Sequence, residues 1–285
     1  MNPKKQNIIN AAYTLFINKG YNASSIQDIL DEAGVSKGTF YNYFTSKTQC
    51  LIAIMESIGS ELSQLRMAAA AGRPVNDPKV LADQLSIRIK LNREKNIFSL
   101  YESIFYSQDQ ELKEFSKLTY LKELDWIASR IVDVFGNEAK PYALDNAAAL
   151  HGSIQQLFHL WKVTSHEALP TDELASFVVR RLEVTMAHQI ATGDRFMRIS
   201  GLYPKKHAEN LSPTELGAQL ESYSKSVADG DTTAQLVAFL GSELQADKPR
   251  KALIESVLGT VANKTGHDAE LLALLEQVWK QLAKL

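Results

Sequence analysis

Apolar residues recur along this chain at intervals of three and four, the spacing of one face of an α-helix, and alternating strand-like runs are hard to find. Near the start Ile8, Ala12, Leu15 and Phe16 share a face, and Gly20 stands where helices commonly end. Ser24 and Ser25 precede a short apolar pattern from Ile26 to Ala33, with Asp28 three residues after Ser25, an arrangement suited to capping a helix. Gly34 marks a turn. Ser36 can cap a third helix running to about Phe44, and Ser46 a longer fourth from about Lys47 to Ala70. After a break at 69–78, further helices are expected over about 79–91, 95–107, 109–135, 140–166 and 171–191, punctuated by Gly136, Pro141 and Pro170. Residues 192–213 lose the periodicity and read as a connector. Four more short helical patterns follow, at about 214–228, 231–245, 249–263 and 268–284. In the last, Leu271, Leu274, Leu275, Val278 and Leu282 form one broad stripe with Trp279 on its border. LESYSKSVAD at 220–229 and IESVLGTVAN at 254–263 look weakly repeated, which two hairpins with similar apolar patterns explain as well as a true repeat does.

Charge refines this picture. The net charge of −2 is unevenly spread: the first 50 residues carry +2 and the rest −4. A mildly basic head on an acidic body suits contact with phosphate. No apolar run approaches the length of a spanning helix, so no membrane association is expected. MNPKKQNIIN has no apolar region behind its lysines, so no secretory leader is expected, and the single cysteine, Cys50, rules out an intrachain disulfide. These features fit a cytoplasmic protein.

The stretch from Ser24 to Leu51, SSIQDILDEAGVSKGTFYNYFTSKTQCL, is the most informative. It reads as two short helices joined by a tight turn at Ala33–Gly34–Val35, a helix-turn-helix. Ile26, Ile29 and Leu30 supply the inner face of the first helix; Val35, Phe40 and Phe44 pack the second upon it. The outward positions are then Lys37, Gly38, Thr39, Asn42 and Tyr43: donors, acceptors and bare backbone, as a helix entering the DNA major groove requires. Tyr41 and Lys47 can hold the phosphate backbone on the flanks.

These residues resemble the DNA-binding signature of the TetR/AcrR family of bacterial transcriptional regulators, through Ser-Lys-Gly-Thr-Phe-Tyr-x-Tyr-Phe-x-Ser-Lys and through the opening helix IINAAYTLFINKGY. The resemblance covers about residues 5–55. It implies DNA contacts at Ser25, Gln27, Ser36, Lys37, Gly38, Thr39, Tyr41, Asn42, Tyr43 and Lys47, with Gln27 standing where the family often has arginine. It also implies a homodimer on a palindromic double-stranded operator, and repression relieved by a small-molecule effector, apolar or amphipathic, bound in a helical body. The 94 residues after Ala191 exceed the usual family length, and no family role transfers to them.

The expected fold is therefore all-α: a helix-turn-helix domain over 1–47, a ligand-binding and dimerisation body over 48–191, and a connector with a helical extension of unknown role over 192–285. Aromatics on the central helices, Phe98, Tyr101, Phe105 and Trp126, and the polar pair His151 and Gln155, are the candidates for lining an effector site. Core packing for the aromatics, and a wet helix edge for the polar pair, are the plainer readings. HEALP at 166–170 lacks the second histidine of a zinc-protease motif, and no phosphate-binding glycine loop or nucleophile elbow occurs. No enzyme activity, cofactor or metal is expected. The alternatives are a helical adaptor, or an enzyme using the helical body with no catalytic motif in view.

Overall fold

A computed structural model describes residues 2–97, 100–101, 104, 109–198, 211–227, 231–265 and 268–282. Twelve α-helices and a short 3-10 helix, with no strand, are found among them. They are α1 (Pro3–Asn18), α2 (Ile26–Ala33), α3 (Lys37–Tyr41), α4 (Lys47–Ala70), α5 (Pro78–Glu94), α6 (Gln110–Phe135), α7 (Ala143–Thr164), α8 (Thr171–Thr192), α9 (Pro213–Ser226), α10 (Thr232–Leu244), α11 (Lys251–Lys264) and α12 (Ala269–Leu282). The 3-10 turn, Asn137–Tyr142, carries Pro141, whose missing N–H suits a helix start better than a helix interior. The all-α class expected from the periodicity is the class observed. The third helix is shorter than its pattern suggests, ending at Tyr41, because Tyr43 and Phe44 both return their N–H groups to the Phe40 carbonyl and close the turn there.

The chain forms two compact units, one from residues 1–59 with 89–121, the other from 60–88 with 122–285. The first unit has a core of Ile8, Ile9, Ala12, Phe16, Ile29, Leu30, Phe40, Phe44 and Leu51. Its segments are tied by long-range bonds: Tyr13 donates to the Lys95 carbonyl at 3.1 Å, and Thr48 donates to Asp109 at 2.6 Å. Asp109 in turn accepts from the Glu111 N–H, capping the start of α6. Cys50 is fully buried here, and burial pushes its thiol up to about 12.

The second unit holds one large core in which the C-terminal helices and the body are continuous. Met67, Ala70, Val75 and Val80 from the α4–α5 corner pack with Leu216 and Leu220 of α9, Val237 and Leu240 of α10, Ile254 and Leu258 of α11, and the α12 stripe. Trp279, assigned by pattern to the stripe's border, is 2% exposed. Its indole N–H donates to the Arg73 carbonyl at 3.0 Å, and the fully buried Arg130 guanidinium lies over its ring at 4.6 Å. A satisfied N–H is what lets a tryptophan go fully inside. Lys280 bonds Ser129 and pairs with Asp133, fastening α12 to α6.

In the first C-terminal hairpin the α9 and α10 backbones touch. A Cβ on Gly217 would lie 2.8 Å from the Gly241 carbonyl oxygen, and one on Gly241 2.9 Å from that of Gly217. At the offset of the apparent repeat the second hairpin has Lys251 or Ala252 and Leu275 or Glu276, so the two hairpins are packed by different means. The connector's start is pinned to the first turn of α7, where Asp145 accepts from the Phe196 and Met197 N–H groups at 2.7 and 2.9 Å.

Candidate nucleic-acid interface

The helix-turn-helix is built by local rules. Ser25 accepts from the Asp28 N–H while Asp28 accepts from the Ser25 N–H, a reciprocal capping box that starts α2. Lys19 pairs with the same carboxylate at 2.8 Å; that bond and the Ser25 contacts hold Asp28 well below the usual carboxylate range. Gly34 ends α2 with φ +61°, a left-handed conformation that side chains with a Cβ rarely adopt, and so turns the chain into α3. Ser36 caps α3 by accepting from the Thr39 N–H at 3.1 Å. Phe40 and Phe44 point inward with ring centroids 5.9 Å apart.

What remains outside is the set named from the sequence. Ser25, Gln27, Ser36, Lys37, Gly38, Tyr41 and Asn42 are exposed, and Thr39 and Tyr43 half-buried. Gln27 donates to Asp31 one turn along the exposed side of α2. Lys47 differs from the rest. Its ammonium donates to the Tyr21 and Ser24 carbonyls, each at 2.7 Å, and sits 4.3 Å from the centre of the Tyr21 ring. Burial lowers its pKa, opposed by Asp28. Lys47 thus fastens the loop between α1 and α2, a role the sequence did not disclose.

Gly38 has a helical backbone, and a Cβ there would meet nothing closer than the Ser36 hydroxyl at 3.9 Å. The fold does not need glycine at this position. A bare backbone on the exposed start of α3 is instead what close approach by an outside surface would require.

Residues 8–54 match the family model of bacterial regulatory proteins of the tetR family. That stretch of the chain carries the DNA-binding helix-turn-helix of the tetR family of bacterial regulatory proteins. Similarity to two Bacillus subtilis proteins extends along nearly all of it: the uncharacterized HTH-type transcriptional regulators YerO, 26% identical over 96% of this chain and 95% of its own length, and YuxN, 25% identical over 96% and 98%. A TetR-family transcriptional regulator structure from Mesorhizobium loti shares the fold, with TM-score 0.52 and 21% identity, covering 96% of that chain but 65% of this one. About a third of this chain lies beyond the shorter fold, and the two Bacillus chains match it along nearly its whole length.

For this regulator, Gly38→Ala is expected to leave thermal stability unchanged or raised by up to about 1 kcal/mol, since alanine favours a helix over glycine. The same substitution should weaken operator binding, as read by gel shift. Equal operator binding by the variant would mean that no surface approaches α3 there.

Of the residues proposed from the sequence for an effector site, four lie among the described residues. Phe98 and Phe105 lie outside the described residues. Tyr101 is half-buried in the first unit. Gln155 is exposed on α7. His151, one turn earlier, is 7% exposed and belongs to the interior, not to the wet edge with Gln155 and His159. Trp126 is half-buried beneath the Arg66 guanidinium, 3.5 Å from its ring centre. Trp126 and His151 flank a group that periodicity did not reveal: Arg66, Arg88 and Glu123. Arg66 grips Glu123 with two bonds, 2.7 and 3.1 Å, and Arg88 takes one oxygen of the same carboxylate. Burial opposes ionisation of Glu123, but the two guanidiniums outweigh it and bring its pKa to about 2. Burial, and then Arg88, bring His151 down to about 4, so its ring is neutral at pH 7. No helix of the described residues is long and apolar enough to cross a membrane.

Proposed function

We propose that this regulator is a homodimeric repressor, released from a palindromic operator when a small apolar or amphipathic molecule binds its helical body. Residues 1–47 act as the DNA-reading domain, 48–191 as the ligand-binding and dimerisation body, and 192–285 as a connector and brace. Lys37, Gly38, Thr39, Asn42 and Tyr43 read base edges from α3. Ser25, Gln27, Ser36 and Tyr41 hold phosphates on its flanks, and Lys47 acts mainly by positioning the loop they sit on. The observation that carries the reading is the exposed polar start of α3 with its unneeded glycine.

Dimerisation is supported by a second surface. Along α7 and α8, Leu160, Val163, Phe177 and Val184 are exposed, Val163 to 71% and Val184 to 68%. An aliphatic face of this kind on neighbouring helices suits a self-complementary pairing about a two-fold axis. Two copies so joined would present two α3 helices to half-sites about one helical turn apart.

The test is selection of bound duplexes from a random pool, followed by gel shift. A palindromic site is expected. Lys37→Ala or Thr39→Ala should change the preferred sequence, at about 1–3 kcal/mol for each lost base contact. Val163→Glu with Val184→Glu should give monomers in sedimentation and weak binding to the same site. Selection of no sequence, or unchanged preference in both α3 variants, would refute the assignment.

A further inference from the structure

The lysines near the start of the chain differ in what they are free to do. Residues 1–50 hold Lys4, Lys5, Lys19, Lys37 and Lys47. Lys19 is paired with Asp28 at 2.8 Å. Lys47 is turned inward to the Tyr21 and Ser24 carbonyls. Lys37 opens α3, on the surface that would face base edges. That leaves Lys4 and Lys5, side by side in the first turn of α1, a helix with no acidic residue of its own. Among the described residues no carboxylate pairs with either. The turn that carries them is fixed against the helix-turn-helix. Asn2 caps it by accepting from the Lys4 N–H at 2.9 Å, and Asn7 donates to the Ala33 carbonyl, at the end of α2, at 2.7 Å. The Lys5 ammonium lies 5.6 Å from the centre of the Phe44 ring, just beyond the end of α3 that bears Asn42 and Tyr43. Lys4 is exposed beside it. Cations thus stand beyond both ends of the α3 reading surface, Lys37 at its start and Lys5 past its close.

Resting on the reading of α3 as the helix that enters the operator, we propose that Lys4 and Lys5 bind backbone phosphates beside each half-site and supply the sequence-independent part of the attraction for DNA. The rest of the chain, residues 51–285, carries −4 and opposes the approach of a polyanion. Ser25, Gln27, Ser36 and Tyr41 can hydrogen-bond phosphates and so fix register, but they are neutral. Only cations release the counterions condensed on a duplex, and that release is the main source of binding without sequence preference. With Lys19 and Lys47 committed within the fold and Lys37 facing bases, the first turn of α1 is where residues 1–50 keep charge for the backbone.

The full chain is titrated by fluorescence anisotropy against the selected operator and against a random duplex, across a range of salt concentrations. Lys4→Gln combined with Lys5→Gln should weaken binding to both duplexes by the same factor, about tenfold or more, and leave the preference for operator unchanged. Each phosphate contact contributes about 0.9 to the slope of log affinity against log salt, so a dimer lacking four lysines should be shallower by about 3.6, and one carrying Lys4→Gln alone by about 1.8. Lys4→Arg with Lys5→Arg should keep the parent slope. Phosphate ethylation interference should show, for the parent only, sensitive phosphates flanking the bases that α3 reads. Lys4 is exposed, so Lys4→Gln should melt with the parent and keeps the test decisive if Lys5→Gln disturbs Phe44. A salt slope unchanged in these variants, or an altered sequence preference, would overturn the proposal. A parent that selects an operator while all variants share its slope refutes this inference alone, and a parent that binds no duplex refutes the regulator reading and this inference with it.

Discussion

A chain ending at Thr192 is expected to lose the folding of the second unit while its helix-turn-helix residues remain present. The deletion strips Met67, Val75 and Val80 of the side chains that cover them. At about 1.5–3 kcal/mol for each buried aliphatic side chain, those three alone forfeit about 5–9 kcal/mol. Trp279 and Lys280 go too, leaving Arg130 and Asp133 without their α12 contacts. Losses of this size rival the whole stability of an ordinary domain, about 5–15 kcal/mol. The short chain should therefore aggregate or show no cooperative transition for this unit in calorimetry, and should bind operator weakly because the pairing face on α7 and α8 goes with it. A melting temperature equal to the parent's would show that α9 to α12 are an accessory and not part of the core.

Glu123→Leu should be the most damaging single substitution in the body. It leaves Arg66 and Arg88 facing each other with no carboxylate between them, and breaking a buried pair in this way costs about 3–5 kcal/mol. Arg66→Met should cost clearly less, because Glu123 keeps Arg88 as its partner. The double variant should fall short of the sum of the singles, since the two sites share one bond network. Urea unfolding of the three proteins checks the order. Equal losses for the two single variants would mean that Arg88 alone cannot hold Glu123 in place.

The helix-turn-helix was legible because everything that makes it is close in sequence. Ser25 with Asp28, Gly34, and Ser36 with Thr39 are contacts across three residues or fewer, so spacing alone identifies them. The α12 stripe was legible for the same reason, since period and burial coincide on an amphipathic helix. Trp279 was harder to place, because its burial depends on the Arg73 carbonyl 206 residues away. The Arg66, Arg88 and Glu123 cluster was not legible at all. Its members are separated by tens of residues, and each resembles an ordinary charged position on a helix surface until three helices converge. Lys47 shows a subtler limit: its residue type and place suit a phosphate contact, but only the fold reveals that two carbonyls already hold it.

The chain crosses between its two units three times, and this bears on how such regulators can recombine. Grafting residues 1–59 onto another body would carry the capped helices and the reading surface across. It would leave behind the Lys95 carbonyl that Tyr13 needs and the Asp109 that receives Thr48. The portable piece is two stretches, 1–59 together with 89–121, and no single breakpoint delivers both. Gene fusions made at one joint would tend to yield heads with unanswered hydroxyls near α4. Working exchanges of operator specificity would then arise by changing residues on the face of α3, with the rest of the head inherited together with its body.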